Sequence, residues 1–154
     1  MFNRFESFTG SILELSRCVQ KIKELEMKPL GLKAGHVMCL YYLGKNHQGL
    51  TVTELAGVCR EDKAAISRCV AELVKRGLVS GDFPEDKRSY RTKLFLTPQG
   101  QALTQEVYQR IDRAVIGGGE GLSQQQRETL YTAMNIIIEN LARYIACLLY
   151  TSPS

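Results

Sequence analysis

The sequence is poor in the residues from which metal sites and covalent frameworks are built. His36 and His47 are its only histidines, and its five cysteines (Cys18, Cys39, Cys59, Cys69, Cys147) include no C-x-x-C pair. An odd, scattered set of thiols fits neither a disulfide framework nor a zinc ribbon, and it points to a reducing, cytoplasmic location. A zinc-sensing site needs several His, Cys and Glu ligands converging from different helices. Two histidines do not supply one, and no metal or other cofactor is expected. No G-x-S-x-G, phosphate-binding loop or H-E-x-x-H is present. Nothing therefore assembles a nucleophile, a phosphate cradle or a catalytic zinc, and the chain is not expected to be an enzyme.

Long apolar runs are missing as well. Arg4 and Glu6 interrupt the N-terminus before any hydrophobic stretch, which argues against a signal peptide. The most apolar stretch, Ile136 to Tyr150, is broken by Glu139 and Arg143 and reads as too short to span a bilayer, so no membrane partner is expected. What remains is an ordinary globular composition, 44% hydrophobic and 23% charged, in a length that suits one domain with helical extensions. The net charge of +4 is mild, but it is unevenly spread. Residues 45–97 hold ten basic side chains against seven acidic ones, while residues 98–154 are slightly acidic. A phosphate backbone could use the central excess.

Hydrophobic spacing divides the chain into elements. Phe5, Phe8, Ile12, Leu15, Val19, Ile22 and Leu25 recur at alternating intervals of three and four, a heptad-like stripe on one long helix that Pro29 and Gly31 end. A second helix is predicted from about Lys33 to Leu43, with Val37, Leu40, Tyr41 and Gly44 near its inner face, followed by a turn over residues 46–49. Thr51-Val52-Thr53-Glu54 is a capping-box pattern opening a short helix, Thr53 to Cys59. Asp62 is a suitable N-cap for a longer helix to about Arg76, with Gly77 as its left-handed stop. Ile66, Val70, Leu73 and Val74 stripe one side of that helix, and Lys63, Ala64, Ser67 and Arg68 fall on the other. A short helix followed by a longer one across a tight turn is a helix-turn-helix.

Leu78–Ser80 and Lys93–Leu96 read as two strands around a turn-rich polar segment, residues 82–88, and this ribbon with a basic tip makes a wing. Thr97 then caps a helix with Pro98 in its first turn and Leu103, Val107, Ile111 and Val115 inward, until Gly117–Gly119 end it. A second capping box, Ser123 to Gln126, opens a last helix with Leu130, Met134, Ile137, Leu141 and Ile145 inward. The expected fold is mainly α with a small β-wing, a winged helix-turn-helix flanked by N- and C-terminal dimerisation helices, in the order α-α-α-α-β-β-α-α.

The second helix of such a unit lies in the major groove. Ala64 allows close approach there, Ser67 donates or accepts, and Arg68 reaches guanine or a phosphate, with Lys63 beside them. Thr51 and Thr53, with Lys87, Arg88 and Arg91 of the wing, suit phosphate or minor-groove contacts. Any one of these cations alone reads as a solvated surface charge; together on a recognition helix and a wing they favour double-stranded DNA. The alternative is a winged-helix protein-docking module without DNA binding, which would tolerate an acidic or apolar recognition face.

Three runs carry a family resemblance. Leu50-Thr51-Val52-Thr53-Glu54-Leu55-Ala56 is similar to the first helix of the MarR reading head, and residues 66–79 resemble its recognition helix and first wing strand. Leu96-Thr97-Pro98-Gln99-Gly100 resembles the L-T-x-x-G closing the family's wing. The resemblance implies a homodimer joined through the terminal helices and bound to a pseudo-palindromic operator, a repressor released by a small molecule or an oxidant. The family's wing Asp-x-Arg is matched by Asp86-Lys87-Arg88, but the ribbon onward to Leu96 is about two residues longer, so Arg91 is the alternative to Arg88 as the groove-inserting residue. The acid that braces this arginine in many members is replaced by Ala71, and Glu72 points elsewhere on the helix. His36, Met38 and Tyr42 stand where the family's effector cleft opens, with a satisfied core role as the alternative for His36. Cys18 is the candidate redox residue by position on the first helix, against a buried structural thiol.

The expected organisation is a single MarR-like domain over residues 1–146, with the winged core at about 33–97 and dimerisation helices at about 3–28 and 98–146. Residues 147–154 resemble a translated sequencing-library adapter and are expected to be foreign to the fold.

Overall fold

The computed structural model describes residues 3–81 and 92–151. Six helices and two strands follow one another as α1 (Arg4–Met27), α2 (His36–Lys45), α3 (Val52–Cys59), α4 (Lys63–Lys75), β1 (Val79–Gly81), β2 (Leu94–Leu96), α5 (Pro98–Gly118) and α6 (Gln124–Thr151). The order is the predicted one, a mainly helical chain with a small antiparallel wing. One 3-10 turn, Lys28–Leu30, is added where Pro29 stops α1.

Helix α2 begins three residues later than its periodicity suggests, for a local reason. The His36 ring accepts the Lys33 amide at Nδ1 (3.0 Å), and the His36 amide donates to the Lys33 carbonyl (3.0 Å). This closes a turn ahead of the helix. The far end runs to Lys45, where the Asn46 amide and side-chain nitrogen both donate to the Tyr42 carbonyl.

The chain divides into two compact units, Met1–Ala114 and Val115–Ser154. In the first, one core gathers Val37, Leu40 and Leu43 of α2, Leu55 and Ala56 of α3, Ile66, Val70 and Leu73 of α4, Val79 and Leu94 of the strands, and Val107 of α5. The predicted inner stripe of α5 holds through Leu103, Val107 and Ile111. Val115 departs from it: it is 56% exposed, beyond the last turn of α5 that has core to pack on. Leu50 adds a bridge that sequence spacing did not signal, pairing antiparallel with Leu94 through two amide–carbonyl bonds of 3.2 and 2.8 Å. The entry to α3 is thereby fastened to the base of the wing.

The junction behind α4 explains two residues of the wing-closing motif. The Leu78 amide donates to the Leu73 carbonyl (3.0 Å) and the Gly77 amide to the Val74 carbonyl (2.9 Å), with Gly77 at φ +73°. This is the paired bonding of a Schellman stop. Thr97 Oγ1 donates to the Gly77 carbonyl (2.6 Å) and accepts the Gly100 amide (3.0 Å), capping α5. A Cβ at Gly100 would collide with the Leu78 carbonyl, so α5 can start this close to the wing only without a side chain there.

In the second unit, Ser123 Oγ accepts the Gln126 amide (3.1 Å) and Gln126 Oε1 accepts the Ser123 amide (2.8 Å), the expected capping box. Helix α6 corrects two sequence expectations. Its stripe Leu130, Met134, Ile137, Leu141 and Ile145 is exposed rather than inward, because within its own unit no described residue buries it. The run Ile136–Tyr150 is also part of a 28-residue helix that is long and apolar enough, by length and composition, to cross a membrane. Asn135, Glu139 and Arg143, spaced by four, nevertheless line the side opposite the stripe. The helix is amphipathic rather than apolar all round.

A Cβ at Gly77 meets only ordinary contact distances, so its positive φ is the sole obstacle to a side chain. Gly77→Ala is expected to lower stability by about 1–2 kcal/mol, the cost of a left-handed L-residue, read as a shift in the urea midpoint.

Candidate nucleic-acid interface

Helix α4 is positioned from both ends. Asp62 Oδ1 accepts the Ala65 amide (2.7 Å) at its start. At its end Arg76 donates to the Gly31 carbonyl (2.6 Å) and the Leu30 carbonyl (3.3 Å), tying α4 to the turn after α1. Burial of Ile66, Cys69, Val70 and Leu73 fixes the rotation about its axis. At 100° per residue, Ala64, Ser67 and Arg68 then turn away from the core, while Lys63, in the first turn, projects from the flank beside Val70; all four are exposed. Ala71 and Lys75 are exposed on the same side and extend the face by two turns. The sequence reading missed these two, although Ala71 follows Ser67 by four residues and Lys75 follows Ala71 by four, which carries the signal.

The turn into α4 contains a non-glycine in the left-handed region, Arg60 at φ +58°. The Glu61 amide donates to the Ala56 carbonyl (3.1 Å) and the Arg60 amide to the Gly57 carbonyl (3.3 Å), closing α3 as Gly77 closes α4. No glycine advertises this turn in the sequence.

Thr51 and Thr53 sit at the start of α3. Thr51 Oγ1 accepts the Glu54 amide and Glu54 Oε1 accepts the Thr51 amide, each at 3.1 Å, while Thr53 is exposed. The Thr51 hydroxyl keeps its own proton to donate. Lys93 Nζ lies 3.1 Å from Glu54 Oε1 and joins the wing base to the same helix. Lys87, Arg88 and Arg91 lie outside the described residues.

Two of the carboxylates near this face, Glu54 and Glu72, are already engaged. Glu54 is held below the ordinary carboxylate value by the Thr51 amide first and Lys93 next. Glu72 points away from the outward face, bonding Lys33 Nζ at 3.1 Å and His36 Nε2 at 2.7 Å. Lys33 first and His36 second pull it below its ordinary value. By contrast, among the described residues Lys63, Arg68 and Lys75 enter no ion pair. The outward face of α4 is therefore net cationic without local neutralisation.

The candidate effector residues face different surroundings. His36 is buried; because its Nδ1 accepts the Lys33 amide, Nε2 carries the proton that Glu72 receives. Met38 lines a cavity of about 250 Å³ with Cys59 and Cys69, and the Tyr42 ring packs edge-on to Tyr41 with centroids 5.1 Å apart. Cys18 is exposed on α1 with its thiol 3.9 Å from Glu14 Oε1, so it is not a buried structural thiol.

Both depressed carboxylates favour the folded state above their ordinary value of 4.5 and lose that contribution as pH falls through their lower folded values. Stability measured by urea unfolding is expected to drop below about pH 4.5. Glu54→Gln and Glu72→Gln should each flatten that acid limb; an unchanged limb in both would contradict the pairing.

Comparison with known proteins bears out the resemblance read from the sequence. Residues 30–89 match the MarR family. A MarR-family regulator from Listeria monocytogenes, solved with a 26mer DNA, superposes with a TM-score of 0.77 at 22% identity, over 95% of this chain and 96% of that one. The Staphylococcus aureus MepR–DNA complex gives a TM-score of 0.78 at 18% identity, over 91% and 99%. Staphylococcus aureus MarR, solved with salicylate and kanamycin, gives 0.75 at 23% identity, over 90% and 92%. These likenesses establish the fold. No match is found among curated protein sequences.

Proposed function

We propose that this chain, whose residues 30–89 match the MarR family, is a MarR-type regulator of transcription that binds double-stranded DNA through α4 and the wing. The observation that carries the reading is the outward face of α4: Lys63, Arg68 and Lys75 unpaired among the described residues, with Ala64, Ser67 and Ala71 small enough to let the helix enter a groove. Two proteins of the same fold were solved on DNA. A docking-only winged helix has no need of an unneutralised cationic face, which disfavours that alternative.

The regulator works as a homodimer. Phe8, Ile12, Leu15, Val19 and Ile22 leave the stripe of α1 exposed, and α6 exposes its own. Two amphipathic helices with uncovered apolar faces are suited to an isologous interface, which then matches a pseudo-palindromic operator. Repression relieved by a small molecule or an oxidant, in the cytoplasm, completes the reading. Met38 at its cavity supports small-molecule access to the helices that carry α4.

Arg68→Ala is expected to cost about 1–3 kcal/mol on a selected operator and much less on a scrambled duplex. Arg88→Ala and Arg91→Ala should weaken both duplexes and reduce the slope of log affinity against log salt by roughly one for each phosphate no longer neutralised. Titration at several salt concentrations reads both effects. Wild-type binding by all three variants would leave the docking module as the better account.

Ile12→Glu is expected to shift the dimer toward monomer at tens of micromolar, seen by light scattering. A wild-type chain that is monomeric under those conditions would remove the dimer.

A further inference from the structure

Helix α1 carries one of the two exposed apolar stripes, and its far end is held by the recognition helix. The Gly31 amide donates to the Lys28 carbonyl (3.0 Å) and the Leu32 amide to the Met27 carbonyl (3.1 Å), with Gly31 at φ +67°. This is a Schellman stop reached through the 3-10 turn, and it is anchored by two buried side chains, Met27 and Leu32. A helix end leaves its last carbonyls without partners inside the helix. Here one side chain from elsewhere takes two of them. Arg76, which ends α4, donates to the Leu30 carbonyl at 3.3 Å and the Gly31 carbonyl at 2.6 Å. Arg76 thereby caps α1 from another helix, with its positive charge at the negative end of the α1 dipole.

Two further residues of α4 hold the same segment. Cys69, Glu72 and Arg76, spaced by three and four, form one row along the helix. The Cys69 sulfur lies 3.4 Å from the Gly35 carbonyl oxygen. Glu72 accepts from Lys33 Nζ (3.1 Å) and from His36 Nε2 (2.7 Å). Residues 30–36, which join α1 to α2, are therefore gripped along their length by two turns of α4. Arg76 enters no ion pair among the described residues, so no carboxylate competes with the two carbonyls for its guanidinium.

We propose that this row, with Arg76 as its principal member, sets the half-site spacing of the operator. The proposal rests on the regulator and dimer readings above. In a dimer joined through α1, the separation and relative rotation of the two α4 helices depend on how each α4 is fixed to its own α1. Burial of Ile66, Val70 and Leu73 fixes α4 about its own axis, and the contacts to residues 30–36 fix it to α1. Half-sites one helical turn apart are separated by about 10–10.5 base pairs. One added base pair moves the second half-site by about 3.4 Å and turns it by about 35° around the duplex. A reading head able to pivot on α1 follows that displacement, whereas one capped and gripped by its own recognition helix does not. Arg76 is a positioning residue in this scheme and touches no DNA.

The test titrates the full chain with a selected operator and with versions whose half-sites lie one or two base pairs closer or farther apart. A duplex carrying one half-site is included, and each titration is repeated at several salt concentrations. Wild type is expected to prefer one spacing by about tenfold or more. Arg76→Met keeps the reach of the side chain and donates nothing. It is expected to bind the selected operator several-fold more weakly and to cut the penalty for altered spacing to about threefold or less. Its affinity for the single half-site, its salt slope and its dimer mass by light scattering should match wild type, because the outward face of α4 and the stripe of α1 are untouched. Arg76→Lys offers one ammonium to the two carbonyls and should fall between wild type and Arg76→Met. Should Arg76→Met unfold by circular dichroism, Glu72→Gln carries the test. It loses its charge toward Lys33 while still accepting from His36, and the spacing penalty should fall about twofold.

A spacing profile identical to wild type in every folded variant overturns the proposal and leaves the regulator reading standing. Equal weakening at every spacing, with the salt slope reduced by about one, makes Arg76 a phosphate contact and overturns it as well. A wild type that binds all spacings alike has no spacing to set, which also overturns it. A wild type that binds none of the duplexes removes the regulator reading and the proposal together.

Discussion

Ile66, Cys69, Val70 and Leu73 turn one side of α4 into the core, against α2 and α3. Each buried aliphatic side chain of this size contributes about 1.5–3 kcal/mol relative to exposure, so rotation of the helix about its axis is strongly resisted. Everything on the outward face inherits that constraint. Ser67, Arg68, Ala71 and Lys75 are displayed together, with Lys63 at their flank, because their apolar neighbours have only one place to go. The neighbouring acids are absorbed by other tasks: Asp62 caps α4, Glu54 closes the box at α3, and Glu72 holds Lys33 and His36. The cationic face results from where the carboxylates are engaged as much as from where the cations stand.

The fold then transmits position through backbone junctions, with an ion pair at the wing base beside them. Leu78 is the shared point: its amide closes α4, its carbonyl accepts the Thr97 amide (3.0 Å), and the absent side chain at Gly100 lets α5 approach it. Leu50–Leu94 pairing and the Lys93–Glu54 contact do the same between α3 and the wing base. Helix, turn and wing base are one mechanical unit.

The exposed stripes of α1 and α6 obey different physics. Their apolar side chains satisfy helical periodicity within each helix, yet they stand exposed among the described residues. Periodicity reports that a face is apolar; it does not report what buries it. The same limit applied to the last helix as a membrane candidate, where length and composition pass but Asn135, Glu139 and Arg143 keep one side polar.

The sequence by itself determined the order of elements, both capping boxes, the glycine stop after α4 and the outward position of Lys63, Ala64, Ser67 and Arg68. Each rests on spacings within a few residues, where backbone geometry leaves little freedom. Only the tertiary structure decided the rest, because it joins residues tens of positions apart. The Leu50 bridge to the wing pairs residues forty-four positions apart and has no local signature. Glu72 is an ordinary surface acid until Lys33 and His36 arrive from another part of the chain. The cysteines read as scattered along the chain, yet Cys69 of α4 lies 3.2 Å from Cys39 of α2 and lines one cavity with Cys59 of α3, since packing three apolar helix faces together places their neighbours wherever the core's geometry requires.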